Sequence, residues 1–284
     1  MKRPLYCSTG ALVGRVNGYD FRGAMKILRS LYEEERIRGL ELMMLPAYYE
    51  NRAAVTEAVR QSGVPSPVIH CEKEIGTMLS DAGALTDSGH EEEARVLSEE
   101  AFRLFRLNCA FAEDLGIPRM VIHLWGGRTS DSHIARNVGA LPDLTETAAA
   151  HGLRLLVENV PSSAGDPLSN WKRVLPFLGN GGLIFDSRFG KLHEQIRETL
   201  TDPAVTPRIE HVHVSDFGGG YREFSALRPI LHPGEGKIDF PALAGLLDGM
   251  GYAGSVTLES PVMGENGWDV PKLGRTLSYL GSLL

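Results

Sequence analysis

Apolar residues in this chain come in short runs, and the intervals between runs are long enough to hold a helix each. Strands are expected at Leu5 to Ser8, Leu40 to Leu45, Pro67 to Glu72, Met120 to Trp125, Leu153 to Asn159, Leu183 to Asp186, Ile209 to Ser215 and Ser255 to Glu259. Between them the apolar spacing becomes helical over Asp20 to Arg36, Asn51 to Gln61, Glu91 to Leu115, Ser132 to Ala150, Leu168 to Leu178, Lys191 to Leu200 and Phe240 to Met250. A last helix, Pro271 to Leu284, closes the chain. The punctuation agrees: Gly116 with Pro118, Gly152, and Gly251 with Gly254 stand where helices give way to strands, and Asp239 with Pro241 marks a helix start. Strand and helix alternate eight times, which predicts an α/β protein folded as one parallel (β/α)8 TIM barrel over residues 1–284.

One run departs from a simple core strand. In Ile209-Glu210-His211-Val212-His213-Val214-Ser215-Asp216 the alternation puts His211, His213 and Ser215 on one face and the valines on the other. Imidazoles inside and valines outside suit a closed sheet that holds a site within and helices without. Three further runs end in a carboxylate: Leu155 to Glu158, Leu183 to Asp186, and Ser255 to Glu259. In a parallel barrel these ends converge at one mouth. Two connections on that side exceed a minimal loop, Lys73 to His90 and Phe217 to Ile238, and the second, with Gly218 to Gly220 and His232-Pro233-Gly234-Glu235-Gly236, is the expected lid.

Composition narrows the function classes. The chain has 284 residues, 43% hydrophobic and 23% charged, with no apolar run of membrane-spanning length. Net charge is −7, from 29 basic and 36 acidic residues, which disfavours a nucleic-acid surface. Cys7, Cys71 and Cys109 are too few and scattered for a disulfide framework or zinc ribbon and read as buried packing. Met1-Lys2-Arg3-Pro4 has no apolar segment behind its charges, so a cytoplasmic location is expected, with no membrane partner.

Glu158, Asp186, His213 and Glu259 each point inward by alternation. Three carboxylates and an imidazole in one pocket raise one another's pKa unless a cation holds them. Three oxygens and one nitrogen suit a single divalent ion, Mn2+ first, with Mg2+, Co2+, Fe2+ or Zn2+ as alternatives. His211, one layer deeper, is expected to orient a ligand, and Asp216 to bond a histidine or cap the loop.

Val157-Glu158-Asn159, strand-end Asp186, His213-Val214-Ser215-Asp216, Pro233-Gly234-Glu235-Gly236-Lys237-Ile238-Asp239-Phe240, and Tyr252-Ala253-Gly254 leading to Leu258-Glu259 together resemble the sugar phosphate isomerase/epimerase family. These are the xylose isomerase-like TIM barrels, which include ketose 3-epimerases, inosose dehydratases and endonuclease IV. The resemblance implies a metal on Glu158, Asp186, His213 and Glu259, a substrate whose carbonyl and hydroxyl chelate it, and proton transfer by Glu158 and Glu259 through an enediolate. The expected activity is isomerisation or epimerisation of a small ketose or keto-polyol. Dehydration of a keto-polyol such as an inosose is the alternative on the same site.

Family members often carry histidine three residues after the strand-six aspartate, where this chain has Phe189. That departure argues against a three-metal nuclease site and turns attention to Arg188, on the face of Asp186, as a contact for an anionic or hydroxyl-rich substrate. His70, His123 and Trp125 are expected to line the sugar, and His232 to touch it from the lid while Glu235 holds the loop. An endonuclease IV-like phosphodiesterase would need more ligands and a basic surface. A non-catalytic carbohydrate-binding barrel would leave four ligand types at four strand ends without a reason. A homodimer or tetramer is expected.

Overall fold

The computed structural model describes residues 3–264 and 267–284. Eight parallel strands close into a barrel in sequence order: β1 Leu5–Ser8, β2 Gly39–Met43, β3 Val68–His70, β4 Arg119–Ile122, β5 Arg154–Glu158, β6 Gly182–Asp186, β7 Ile209–Val214 and β8 Ser255–Leu258. Strand β1 pairs with both β2 and β8, so no edge is left for another chain to extend. The eight expected strands are all present, each within a few residues of its predicted ends.

Around them lie α1 Phe21–Glu33, α2 Ala47–Glu50, α3 Arg52–Ser62, α4 Glu74–Asp87, α5 Glu91–Leu115, α6 Ile134–Ala150, α7 Pro167–Val174, α8 Ser187–Leu192, α9 Ile196–Thr201, α10 Phe240–Gly249 and α11 Val270–Leu283. Asp20, Asp166, Asp239 and Asp269 cap α1, α7, α10 and α11 by accepting a backbone N–H three residues on. Among the described residues no helix is long and apolar enough to cross a membrane.

Two expectations change. The connection from Lys73 to His90 is not a loop, because α4 occupies most of it and packs beside α5. Gly76 and Gly83 mask that helix in the sequence by lowering its propensity. Gly76 is needed because a Cβ there would lie 2.2 Å from the His123 carbonyl oxygen, at the end of β4. The helix expected over Lys191 to Leu200 is split into α8 and α9 at Glu194, whose φ is +53°.

Alternation sorts the barrel into two cores. Leu40, Leu42, Val157, Phe185, Val212, Val214, Val256 and Leu258 face outward into the apolar layer under the helices. Inside, Val68, Val121, Leu156 and Ile184 from β3 to β6 form a small apolar cluster of their own. The opposite half of the interior is polar. There the His211 Nδ1 lies 2.7 Å from Ser255 Oγ, and its Nε2 donates to Glu41 at 2.9 Å.

The segment from Phe217 to Ile238 carries only a short 3-10 turn, Phe224–Leu227, and is pinned at its neck by Asp216. Asp216 Oδ1 accepts from the N–H groups of Phe217 (2.8 Å) and Ile238 (3.0 Å), and Oδ2 from those of Gly234 (2.9 Å) and Gly236 (2.8 Å). Gly236 has to be glycine, since a Cβ would stand 2.5 Å from the Asp216 carboxylate. Of the two expected roles for Asp216, capping the loop is the one the structure shows. Arg222 holds the far side of the loop through the carbonyls of Ser162, Ser163 and Gly165.

Because the interior apolar cluster has only four members, truncating one leaves a cavity that little can fill. Leu156→Ala is expected to lower stability by about 2–5 kcal/mol in urea denaturation, and a loss under about 1 kcal/mol would show that this layer is not close-packed.

Candidate active site

The register of the last four strands places the chemistry. Asp186 on β6 is level with His213 on β7, His213 is level with Thr257 on β8, and Glu158 on β5 is level with Ile184. Glu259 follows β8 directly and is held by its N–H donating to the Val214 carbonyl at 3.1 Å. Glu158, Asp186, His213 and Glu259 each offer a ligand atom, and the four atoms all lie within 4.8 Å of one another.

Each member is oriented by its neighbours. Asn159 brackets the Asp186 backbone, accepting from its N–H at 2.5 Å and donating to its carbonyl at 3.1 Å. Asp186 Oδ1 caps α8 by accepting from the Phe189 N–H at 2.7 Å, which leaves Oδ2 buried without a partner. Glu259 Oε1 is likewise buried without a hydrogen bond, 3.4 Å from His213 Nδ1, and the Ser215 hydroxyl, two residues beyond His213, is buried without one too. Orphaned buried oxygens on two of the four residues fit a set that could hold a cation.

His213 is the hub. Its Nε2 donates to both oxygens of Glu41, at 2.9 and 3.0 Å, while Nδ1 faces Glu158 at 3.1 Å and Glu259 at 3.4 Å. Burial opposes charge on the ring, but the charges of Glu259 and Glu41 and the hydrogen bonds to Glu158 and Glu41 outweigh it and hold the pKa well above the usual imidazole value. Burial also works against ionised Glu41, yet the His213 charge and the bonds from His211 and His213 keep it well below the carboxylate range.

Glu41 is the residue the sequence reading left out. It sits in β2 between Leu40 and Leu42, fully buried and facing inward. The signal was present as a carboxylate inside an apolar run with both flanking leucines turned outward.

His70 and His123 meet at Glu158 Oε2. His70 Nε2 is 3.2 Å away and its Nδ1 donates to the Cys71 carbonyl at 2.7 Å, while His123 Nε2 stands 2.6 Å from the same carboxylate oxygen. Burial alone would raise Glu158, but the imidazoles around it, His123 first, hold it well below the ordinary value. His123 itself is pushed down to about 4 by burial despite the pull of Glu158. His70 is raised because its bond to Glu158 and the charges of Glu158 and Glu259 overcome its burial.

The remaining predicted residues lie elsewhere or in other company. Trp125 is wholly buried within the outer apolar layer and spends its indole N–H on Ser162 Oγ at 3.2 Å. His232 has both ring nitrogens engaged, Nε2 donating to the Pro261 carbonyl at 2.7 Å and Nδ1 lying 3.2 Å from the hydroxyls of Ser260 and Thr276. It braces the segment after β8. Glu235 accepts from the His232 N–H at 3.0 Å and pairs with Lys272 at 2.8 Å, tying the lid to α11. Arg188 is buried beside Asp186, with its guanidinium carbon 4.6 Å from the centre of the Phe189 ring.

A closed eight-stranded barrel with carboxylates and imidazoles gathered at the carboxyl ends of its strands defines a barrel of the enzyme type. The family model for xylose isomerase-like TIM barrels matches residues 35–278, and the chain belongs to that family. Solved structures share the fold at low identity. A 3-keto-D-glucoside 4-epimerase, YcjR, from E. coli superposes with a TM-score of 0.69 at 16% identity, over 99% of this chain and 100% of that one. A D-psicose 3-epimerase from Clostridium cellulolyticum H10 gives a TM-score of 0.69 at 15% identity, over 99% and 96%. A D-tagatose 3-epimerase-like protein gives 0.66 at 20% identity, over 99% of both chains. No curated protein matches the sequence.

Asp186 offers a test of the electrostatics without any ion. Burial is the main cause that raises its pKa from 3.8 to about 7, with Glu158 and Glu259 adding to it and Arg188 opposing. The folded metal-free protein therefore retains a proton that the unfolded chain releases, and its stability falls as pH rises between those two values. Asp186→Asn removes the cost of ionisation while keeping a side-chain acceptor for the α8 cap. In metal-free protein the variant's advantage in Tm should open as pH rises from about 4 to about 7 and stay level above. A difference that does not vary with pH would show that Asp186 titrates normally.

Proposed function

We propose that this protein is a divalent-metal-dependent isomerase or epimerase that moves a proton at the carbon beside the carbonyl of a small ketose or keto-polyol. The observation that carries the reading is the convergence of Glu158, Asp186, His213 and Glu259, with ligand atoms within 4.8 Å and two buried oxygens left without partners. These residues would hold the ion, Mn2+ first among Mg2+, Co2+, Fe2+ and Zn2+, with His213 engaged through Nδ1 because Nε2–H is committed to Glu41. When bound, the ion supplies positive charge beside the oxygen that becomes negative as the neighbouring C–H is broken.

The chain's own residues do the rest. Glu158 is held ionised by the imidazoles around it, so it suits the role of proton acceptor at neutral pH. Glu259, on the strand end across His213 from Glu158, is the second proton carrier: it relays a proton taken from solvent to the substrate carbon, while Glu158 releases the abstracted proton to solvent before the next turnover. His70 and His123 fix the Glu158 carboxylate; both nitrogens of His70 are engaged, so of the two only His123, through Nδ1, is left to meet a sugar hydroxyl. Keto-sugars are the substrates named for solved barrels of the same fold, which supports the substrate class.

The test is proton exchange. Mn2+-loaded protein in D2O is expected to add one mass unit to at least one compound in a panel of ketoses, inososes and related keto-polyols, followed by mass spectrometry. Glu158→Gln is expected to slow that exchange by roughly 10²–10⁴-fold. Equal exchange by EDTA-stripped protein would remove the metal from the reading, and loss of water without exchange would make the protein a dehydratase. Exchange by none of the panel would overturn proton transfer on these substrates.

Glu41 gives an independent check. Glu41→Gln is expected to weaken Mn2+ binding by about 10–100-fold in isothermal titration calorimetry, since it loses the charge that orients the His213 ring. An unchanged affinity would mean that the ring is fixed by its packing alone.

A further inference from the structure

Arg188 is a buried cation with one arm bonded to the lid and its Nε left without a partner. It lies two residues beyond Asp186, at the start of α8, and only 5% of its surface is exposed. Its hydrogen bond among the described residues runs from Nη1 to the Leu227 carbonyl in the lid, at 3.1 Å, and Nε is buried with no partner. Among those residues no carboxylate lies within ion-pair distance, although every other strongly buried charge of the site has a partner or an ion to serve.

Position gives the arrangement its meaning. The guanidinium rests over the Phe189 ring, and the edge of that ring meets His123 at a centroid distance of 6.2 Å, so Arg188 stands between the lid and the imidazoles around Glu158. Lys73, at the foot of α4, is near enough to His70 and His123 to disfavour their charged forms, and it too has no ion pair among the described residues. The three ligand carboxylates with a divalent ion would keep one net negative charge, which Arg188 balances at a distance. Balance does not fill the rest of the fork of N–H donors, and a buried guanidinium with an unpartnered Nε is destabilising until an acceptor arrives. A sugar hydroxyl offers one acceptor position at a time. A carboxylate or phosphate group offers paired oxygens matched to the fork.

We propose that Arg188 is an anion subsite of the candidate active site, and that the substrate is a keto-sugar bearing a carboxylate or phosphate group. This rests on the sugar-handling site proposed above and narrows its substrate class. Phe189 then serves as a platform that holds the guanidinium in place, and the Leu227 carbonyl fixes one of its arms so that Nε and the remaining amino group face the substrate.

The experiment compares three probes on Mn2+-loaded wild-type protein: a ketohexose, its 6-phosphate, and the ketohexuronate of the same carbon skeleton. Deuterium exchange kinetics are followed, and binding is measured by calorimetry in the Glu158→Gln background. One anionic probe is expected to show a KM or Kd about 10–100-fold below that of the neutral sugar, and the identity of that probe separates carboxylate from phosphate. Arg188→Gln should shrink this ratio toward unity, and Arg188→Lys should restore part of it. Because wild-type discrimination is read first, a variant that fails to fold does not decide the matter.

A neutral sugar bound and exchanged as well as either anion would overturn the anion subsite and leave the epimerase reading standing. Equal losses for neutral and anionic probes in Arg188→Gln, accompanied by an equal loss of Mn2+ affinity, would also overturn it by making Arg188 a charge balance for the metal ligands. Arg188-dependent binding of an anionic probe with no exchange of any probe would do the reverse, upholding the subsite and removing proton transfer.

Discussion

The structure turns on the burial of four carboxylates around one imidazole. Glu41, Glu158 and Glu259 all lie within 3.4 Å of a His213 nitrogen, and Asp186 completes the ligand set with them. Two like charges about 4.8 Å apart repel by roughly 3–4 kcal/mol at an effective dielectric near 20, so this gathering opposes folding unless something offsets it. Neighbouring carboxylates raise the pKa of His213 and His70, and burial raises that of Asp186, so each keeps its proton to higher pH than in the unfolded chain, and two oxygens of the cluster stay without hydrogen bonds. The same repulsion that is a cost to the chain would be relieved by a cation placed among Glu158, Asp186 and Glu259.

The fold that tolerates this cost is visible in how its cores are divided. The outward face of nearly every strand is aliphatic or aromatic and packs under the helices, so the closed sheet is stabilised from outside. That leaves the interior free to be half polar, with Glu41, His211 and Ser255 opposite the cluster of Val68, Val121, Leu156 and Ile184. In β7 the two demands meet within one strand, where Val212 and Val214 serve the outer layer and His211 and His213 serve the site.

That strand explains how much was legible in the sequence. Short apolar runs and alternation of period two are read without knowing any neighbour; the runs located the eight strands, and alternation turned inward the four residues that the barrel brings together. Glu41 was not legible because its meaning depends on β7, 170 residues away, and a lone carboxylate in an apolar run has no local partner to announce it. Helix α4 was hidden by Gly76, which is explained only by the His123 carbonyl it must avoid. Trp125 and His232 are instead engaged by Ser162 and by the Pro261 carbonyl, through long-range packing that spacing does not encode.

Register is the last constraint, and it explains why a parallel barrel suits this chemistry. Side-chain direction alternates along a strand, so a slip of one residue in β5, β6 or β7 would turn a ligand into the apolar layer and a valine or leucine into the site. Three of the four residues are fixed against such a slip by different devices: Asn159 brackets the backbone of Asp186, the Glu259 N–H binds the Val214 carbonyl, and Glu41 reaches across the barrel to His213. Asp216 then closes the neck of the lid directly after β7, so the loop that covers the mouth starts from the same strand that carries the central imidazole. Any displacement of β7 would therefore disturb the ligand set and the cover together, which makes that strand the element through which site and lid are coupled.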